Sequence, residues 1–428
     1  MTKDSKLTKM TQEKETTTKI NKIKLPVPIF DSREYLKAKQ DKEFAHLDSC
    51  YNIQDVKKAQ MFLLSYQGNL GTFNAYRNET ERLLQWGSLI AKKSLKDLKR
   101  EDIENFIKFC QKPIKQWIGL HKPPRFIEIE KDKTRVPNPK WRPFIVTVSK
   151  TSHRNGDRPN TKDYELSQAA LKQIFAIVSS FYNYLLQEEY VFMNPVAMIR
   201  QRSKFIRKIQ DKPKIRRLSE LQWHYVIKTA EELADQGSDY HERTLFMISA
   251  LYLMYLRISE LVASSRWTPK MSDFAQDSDH NWWFTTVGKG NKQRQIAVSD
   301  TMLEALKRWR QHLGLLPLPS ADDNSPLIPK TIGKGPISST TYVRKVVQQC
   351  FDQTIIKLQK NGFIEEADSL LEATVHWLRH TGISDDVKTR PKEHVRDDAG
   401  HSSSAITDKY IDIELRERHK SAKAKPLR

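Results

Sequence analysis

The chain is poor in cysteine, in acidic residues relative to basic ones, and in long apolar runs. Cys50, Cys110 and Cys350 are its only cysteines, and they stand far apart. That spacing supports neither a disulfide framework nor a cysteine-based zinc site, and it points to a reducing, intracellular setting. No stretch of roughly 18 or more apolar residues occurs, so neither a membrane span nor a membrane partner is expected. The opening residues, MTKDSKLTKM, lack the apolar core of a secretory signal. No internal repeat is visible. Asp plus Glu number 52 against 73 for Lys plus Arg, a formal charge of +21. A surplus of that size points to a polyanionic partner, most often nucleic acid; the plainer reading is a soluble protein with a basic surface.

With 428 residues the chain has room for two or three domains. Residues 1–47 read as a basic, flexible segment. Residues 48–200 are mainly helical in pattern. TFNAYRNETERLLQWGSLIAKK carries an apolar stripe of Phe73, Tyr76, Leu83, Leu84 and Trp86. SQAALKQIFAIVSSFYNYLLQEEY carries a second, from Leu171 through Phe175 and Phe181 to Leu185. Between them, residues 112–164 hold seven prolines and read as an inserted loop or hairpin, with one short strand over Phe144–Ser149. Residues 201–217 have the composition of a basic linker, suited to follow a phosphate backbone or simply to lie in solvent.

A second helix-rich region covers 218–415, ahead of a basic tail at 416–428. Ser219 stands three residues before Gln222, the spacing of a capping box. HERTLFMISALYLMYLRISELVAS reads as one long apolar helical region. WWFTTVGKGNKQRQIAVS reads as two strands around a Gly/Lys/Asn turn, and further helices are expected near 300–313, 338–360 and 365–382. The fold class is mainly α with a small β-sheet.

Several residues of this region carry chemistry. In MYLRISELV, Arg257 offers a planar fork for two phosphate oxygens, and Glu260 at i+3 can orient it; an ordinary surface ion pair is the plain alternative. In VHWLRHT, His376 and Arg379 share a helix face, with Trp377 and Leu378 toward the core. A zinc reading of His376, His380 and His401 lacks an acidic residue within the i, i+4 pair.

Together these motifs resemble the tyrosine recombinases of the phage-integrase family. The likeness covers residues 213–415 and, more weakly, 48–200, the counterpart of that family's helical core-binding domain. It implies a catalytic set of Arg257, Lys289, His376, Arg379, His401 and Tyr410. Arg257 and Arg379 would clamp the scissile phosphate. Lys289, in the hairpin turn, would protonate the leaving 5′ oxygen, with Lys292 and Arg294 as rivals. His376 would handle the tyrosine proton and His401, of the AGHSS motif, would hydrogen-bond the phosphate. Tyr410, nine residues after His401, would attack to give a 3′-phosphotyrosyl link. His380 is taken as structural.

The likeness further implies double-stranded DNA as partner and a homotetramer on two DNA sites. It implies an accessory DNA-bending or directionality protein, no cofactor and no metal, and a cytoplasmic, nucleoid-associated setting in a prokaryotic host. The expected activity is site-specific recombination for a mobile element. A relaxing topoisomerase and a non-catalytic DNA-binding protein of the same fold remain as alternatives. One departure stands out: between His380 and Gly400, where the family has an apolar helix, this chain is charged and broken by Pro391.

Overall fold

The computed structural model describes residues 24–38, 44–66, 68–129, 134–154, 156–200, 205, 216–288, 290–401, 403, 406–407, 410 and 422–423. They fall into two compact units, Met1–Gln210 and Asp211–Arg428. Lys289, most of the basic linker and most of the C-terminal tail lie outside the described residues. No helix among the described residues is long and apolar enough to cross a membrane.

Four main helices carry the first unit: α1 (Ile53–Ser65), α2 (Leu70–Trp86), α3 (Arg100–Gln111) and α4 (Gln168–Gln187). Asn52, Asn69 and Ser167 each turn a side-chain oxygen onto first-turn N–H groups of α1, α2 and α4, satisfying donors that a helix start leaves open. Phe73, Leu83, Leu84 and Trp86 share one core with Leu171, Phe175, Phe181 and Leu185. Tyr76, read as part of that stripe, is half-buried, with its ring stacked on Phe62 at 5.5 Å between centroids.

Two expectations change here. Residues 24–38 are not a loose tail: Ile29, Phe30 and Leu36 are buried, and the Phe30 N–H donates to Glu81 at 3.1 Å. That carboxylate, 1% exposed, needs such partners. The proline-rich stretch is likewise anchored. It holds β1 (Ile118–Gly119), β2 (Phe126–Ile129), β3 (Thr134–Pro137) and β4 (Phe144–Ile145); β1 pairs in parallel with β4, and β2 antiparallel with β3. Arg125 donates to Glu81, to Asn78 (3.1 Å) and to the Phe30 carbonyl (3.2 Å), while Arg135 pairs with Asp31 at 2.6 Å. The strand expected over Phe144–Ser149 shortens to Phe144–Ile145, because β1 offers only two residues to pair with.

The second unit contains α5 (Glu220–Ala234), α6 (Asp239–Leu253), β5 (Phe274–Gln276), β6 (Trp282–Val287), β7 (Gln293–Ala297) and α7 (Asp300–His312). Then follow α8 (Thr340–Lys360), α9 (Ile364–Leu371), α10 (Val375–Asp386) and α11 (Lys392–Ala399). The sheet runs in the order β5-β6-β7, antiparallel throughout. Phe284, in the central strand, stands opposite Phe274 on one side and Ile296 on the other, and all three are buried. Phe246, Trp309, Phe351 and Leu378 extend the same core. The class is mainly α with a small sheet, as the pattern indicates. The capping box at the start of α5 forms: Ser219 Oγ accepts from Gln222 N at 3.1 Å, and Ser219 N donates to Gln222 Oε1 at 2.9 Å.

Three local differences bear on function. The long apolar region stops being a helix at Leu253. Tyr255 adopts φ 50, and Arg257 opens a 3-10 turn over Ile258–Glu260. Met254, Tyr255 and Leu256 are all buried, so the apolar pattern runs on past the helix end and conceals it. The helix expected over 365–382 is two helices, separated by an extended Thr374 (φ −125, ψ 165). Leu370, Ala373 and Val375 are buried across that break, which hides it in the same way. The charged stretch after His380 completes α10 and forms α11, with Pro391 as the N-cap residue. Several of its charged residues find partners: Tyr252 Oη donates to Asp385 (3.0 Å), and Arg390 reaches Asp386 (3.1 Å) and Asp398 (2.6 Å).

α10 packs closely on the end of α6 at Gly382, where a Cβ would overlap the Tyr252 carbonyl oxygen. Gly382→Ala should therefore destabilise the protein by about 1–3 kcal/mol through overpacking. Urea unfolding of the full chain checks this; a variant as stable as the wild type would show that the helices can separate at little cost.

Candidate active site

α11 ends at Ala399, and Gly400 turns the chain in the left-handed region at φ 63. The last carbonyls of a helix lack partners inside it and lie at the negative end of its dipole. Here three consecutive ones accept from three different arginines. Arg294 Nε donates to Asp398 O at 2.9 Å, Arg379 Nη2 to Ala399 O at 2.6 Å and Arg257 Nη2 to Gly400 O at 3.3 Å. Gly400 is required twice over, because a Cβ there would also press on Arg294 Cδ.

Among the described residues, Glu260 is the one carboxylate in direct contact with this group. It is 1% exposed and accepts both terminal nitrogens of Arg294 at 2.8 Å. Arg257 adds its backbone N–H at 2.9 Å and Nη1 at 3.0 Å. Burial raises the Glu260 carboxyl, but Arg294 and then Arg257 outweigh it and hold it below the ordinary glutamate value. Three guanidiniums against one carboxylate leave a local surplus of positive charge. Of the three, Arg257 has the most open side chain, at 29% against 10% for Arg294. Arg379 is 2% exposed and is fixed on its other side by the Tyr255 carbonyl. Burial, followed by the charge of Arg257, lowers Arg379 to about 9.

Tyr410 is buried beside this cluster, and its hydroxyl is hydrogen-bonded to Nδ1 of His380. With the ring proton on Nε2, Nδ1 is the acceptor and the phenol the donor. The His401 ring stacks on Tyr410 at 5.9 Å between centroids, its Nδ1 is 2.9 Å from Thr407 Oγ1, and its Nε2 is 3.4 Å from Arg379 Nη2. His376, in the first turn of α10, stays exposed and meets the His380 ring edge-on at 4.2 Å. Burial, opposed by Arg379 and Arg257, pushes the Tyr410 phenol up to about 12. Burial, reinforced by nearby arginines and, for His380, by the adjoining histidines, lowers His401 to about 4 and His380 to about 3; partial desolvation at the cluster side of His376, then Arg379 and Arg257, lowers it below its usual value. At neutral pH the phenol is protonated and His380 and His401 are uncharged. Among the described residues no group of three or more His, Cys, Asp or Glu side chains is placed to hold a metal ion.

The structure thus brings Arg257, His376, Arg379, His401 and Tyr410 into one site. Lys289 lies outside the described residues; its neighbours do close the hairpin, with Gly288 N donating to Lys292 O at 2.8 Å. Arg294, a rival for the acid role, is committed to Glu260 and the Asp398 carbonyl. His380, taken as structural, is the residue that touches the phenol, whereas His376, expected to handle its proton, stands one ring behind. The sequence offered Arg294 only as a rival acid and His380 only as structural, because the contacts that define them come from Glu260 and α11 and from Tyr410, far along the chain.

Residues 216–416 match the Phage integrase family, and the second unit belongs to it. That membership supports a DNA strand-transferase enzyme. Among its relatives is tyrosine recombinase XerD of Staphylococcus saprophyticus, 25% identical over 253 residues, 59% of this chain and 74% of the relative. Tyrosine recombinase XerC of Xanthomonas axonopodis pv. citri is 26% identical over 251 residues, 58% of this chain and 69% of the relative. In fold, the chain is similar to the XerH site-specific recombinase in its post-cleavage complex with a palindromic difH substrate. The TM-score is 0.53 at 15% identity, over 92% of this chain and 93% of that one.

Glu260→Gln removes the only carboxylate charge that, among the described residues, contacts Arg257 and Arg294. The loss should be about 3–5 kcal/mol at pH 7, as for other broken buried pairs. Because the folded-state value is depressed, this contribution is complete above the unfolded glutamate value and disappears as pH falls through the folded one. Urea unfolding of both proteins should show a gap that is full at pH 7 and shrinks below about pH 4; a gap independent of pH would contradict the pairing.

Proposed function

We propose that this protein is a site-specific DNA recombinase that cuts and rejoins strands through Tyr410, in the service of a mobile element. The observation that carries this reading is the Tyr410 phenol, buried against His380 and His401 at the edge of an arginine cluster with surplus positive charge. The Tyr410 oxygen bonds to the scissile phosphorus as the bond from phosphorus to the 5′ oxygen breaks, leaving a 3′-phosphotyrosyl link and a free 5′ hydroxyl. The phenol proton passes to a neighbouring neutral imidazole, and the contact to His380 makes it the nearest acceptor. Lys289 supplies the proton to the leaving oxygen.

Arg257 and Arg379, joined by His376 and His401, stabilise the charge that builds on the five-coordinate phosphorus, so no metal is needed. The covalent link conserves the energy of the broken phosphodiester, and rejoining needs no nucleotide. Residues 48–200 serve as the core-type DNA-binding domain and 218–415 as the catalytic domain, with the basic linker 201–217 between them following the backbone. Four copies act on two duplexes, assisted by an accessory DNA-bending or directionality protein.

A nicked suicide duplex analysed on a denaturing gel tests the chemistry. Wild type should form a covalent protein–DNA adduct, Tyr410→Phe none while still binding the duplex, and EDTA should leave the yield unchanged. Arg257→Ala should slow adduct formation by about 100-fold or more through loss of one charge-stabilising donor. An adduct surviving in Tyr410→Phe would refute the nucleophile; strong inhibition by EDTA would refute metal independence.

A further inference from the structure

Tyr255 occupies a position at which a bulky side chain is ordinarily excluded. It directly follows the capping residue Met254 of α6 and adopts φ 50, the left-handed conformation that glycine normally supplies just past a helix end. An aromatic residue there is strained, and such strain persists only when the surroundings over-determine it. They do so here. The ring is 1% exposed and packs in one cluster with Ile383, Val395, Ala399 and Tyr410. The hydroxyl is hydrogen-bonded to Asp386 and accepts from Arg390 Nη1 at 2.9 Å. Arg390 also reaches Asp386 at 3.1 Å and Asp398 at 2.6 Å.

The turn so held has two consequences for the site. It aims the Tyr255 carbonyl at Arg379 Nη1. Two residues later it delivers Arg257, in extended conformation (φ −75, ψ 145), as the cap of the turn that carries Glu260. One strained residue therefore sets the direction of both arginines, while its ring packs in the same cluster as Tyr410.

We propose that Tyr255 is a positioning residue for strand cleavage: its hydroxyl, anchored on Asp386 and Arg390, pins a left-handed turn that orients Arg379 through the Tyr255 carbonyl and Arg257 through the chain. The proposal rests on the reading of Tyr410 as nucleophile and of the two arginines as phosphate clamps. Tyr255 acts through the arginines, not on DNA itself.

The test is single-turnover adduct formation on the suicide duplex at saturating protein, for wild type, Tyr255→Phe, Asp386→Asn and the double variant. Duplex affinity and melting temperature are measured alongside. Tyr255→Phe keeps the ring and removes only the anchor. It should slow the saturated rate roughly tenfold or more, as small displacements of charge-stabilising groups do, with affinity and melting temperature close to wild type. Asp386→Asn should give a comparable loss, and the double variant should lose no more than the worse single one, since both break the same contact. A second substrate carrying a neutral methylphosphonate at the scissile position separates positioning from general damage. With less charge for the arginines to stabilise, the Tyr255→Phe defect should shrink. A Tyr255→Phe protein as fast as wild type, or a rate loss that merely follows a lower melting temperature and persists on the neutral substrate, overturns the proposal alone. An unreactive wild type overturns it together with the assignment of Tyr410.

Discussion

The site depends on one arrangement: three guanidiniums laid on three successive carbonyls at the end of α11, with Glu260 buried among them. A helix C-terminus offers unpaired acceptors and a partial negative charge, which lets three arginines approach one another without three carboxylates to balance them. Because, among the described residues, only Glu260 answers their charge directly, the cluster keeps an unspent attraction for an anion. The same contacts tie the 3-10 turn at Arg257, strand β7 at Arg294 and helix α10 at Arg379 to one point, so a shift of any of these elements disturbs all three.

The phenol and the imidazoles respond to that environment through two opposed effects. Burial disfavours the charged form of both tyrosine and histidine, while positive neighbours favour the phenolate and disfavour the imidazolium. For Tyr410 the two effects oppose and burial prevails; for His380 and His401 they add. The resting site therefore holds a protonated phenol against an uncharged acceptor. In the proposed reaction a bound phosphodiester would bring the negative charge that the arginines lack, and that charge would favour the imidazolium form created by proton transfer from the phenol.

Particular elements explain why some of this was legible in the chain and some was not. The capping box at Ser219 and Gln222 and the i, i+3 spacing of Arg257 and Glu260 are local, and each forms the contact its spacing suggests. The hairpin between β6 and β7 was legible from its alternating apolar residues and its Gly/Lys/Asn turn. The end of α6 at Leu253 and the break at Thr374 were not, because buried apolar residues continue through both and periodicity cannot distinguish a helix from a buried turn of similar pattern. The charged stretch around Pro391 read as a departure from an apolar helix; it is accommodated because Asp386, Arg390 and Asp398 pair with one another and with Tyr255.

Residue types and spacings along the chain were enough to settle the mainly helical class, the family of the second unit and the identity of most side chains now found together. These properties rest on local periodicity and on short motifs, which need no knowledge of distant contacts. Folding alone decided which histidine touches the phenol, that Arg294 is bound to Glu260 and not available for other work, and that a tyrosine stands in a left-handed turn. Each of those outcomes depends on groups 30 or more residues apart in sequence, Arg294 with Glu260, Tyr255 with Asp386 and His380 with Tyr410. Contacts of that kind are set by how the helices pack, not by any pattern within a single segment.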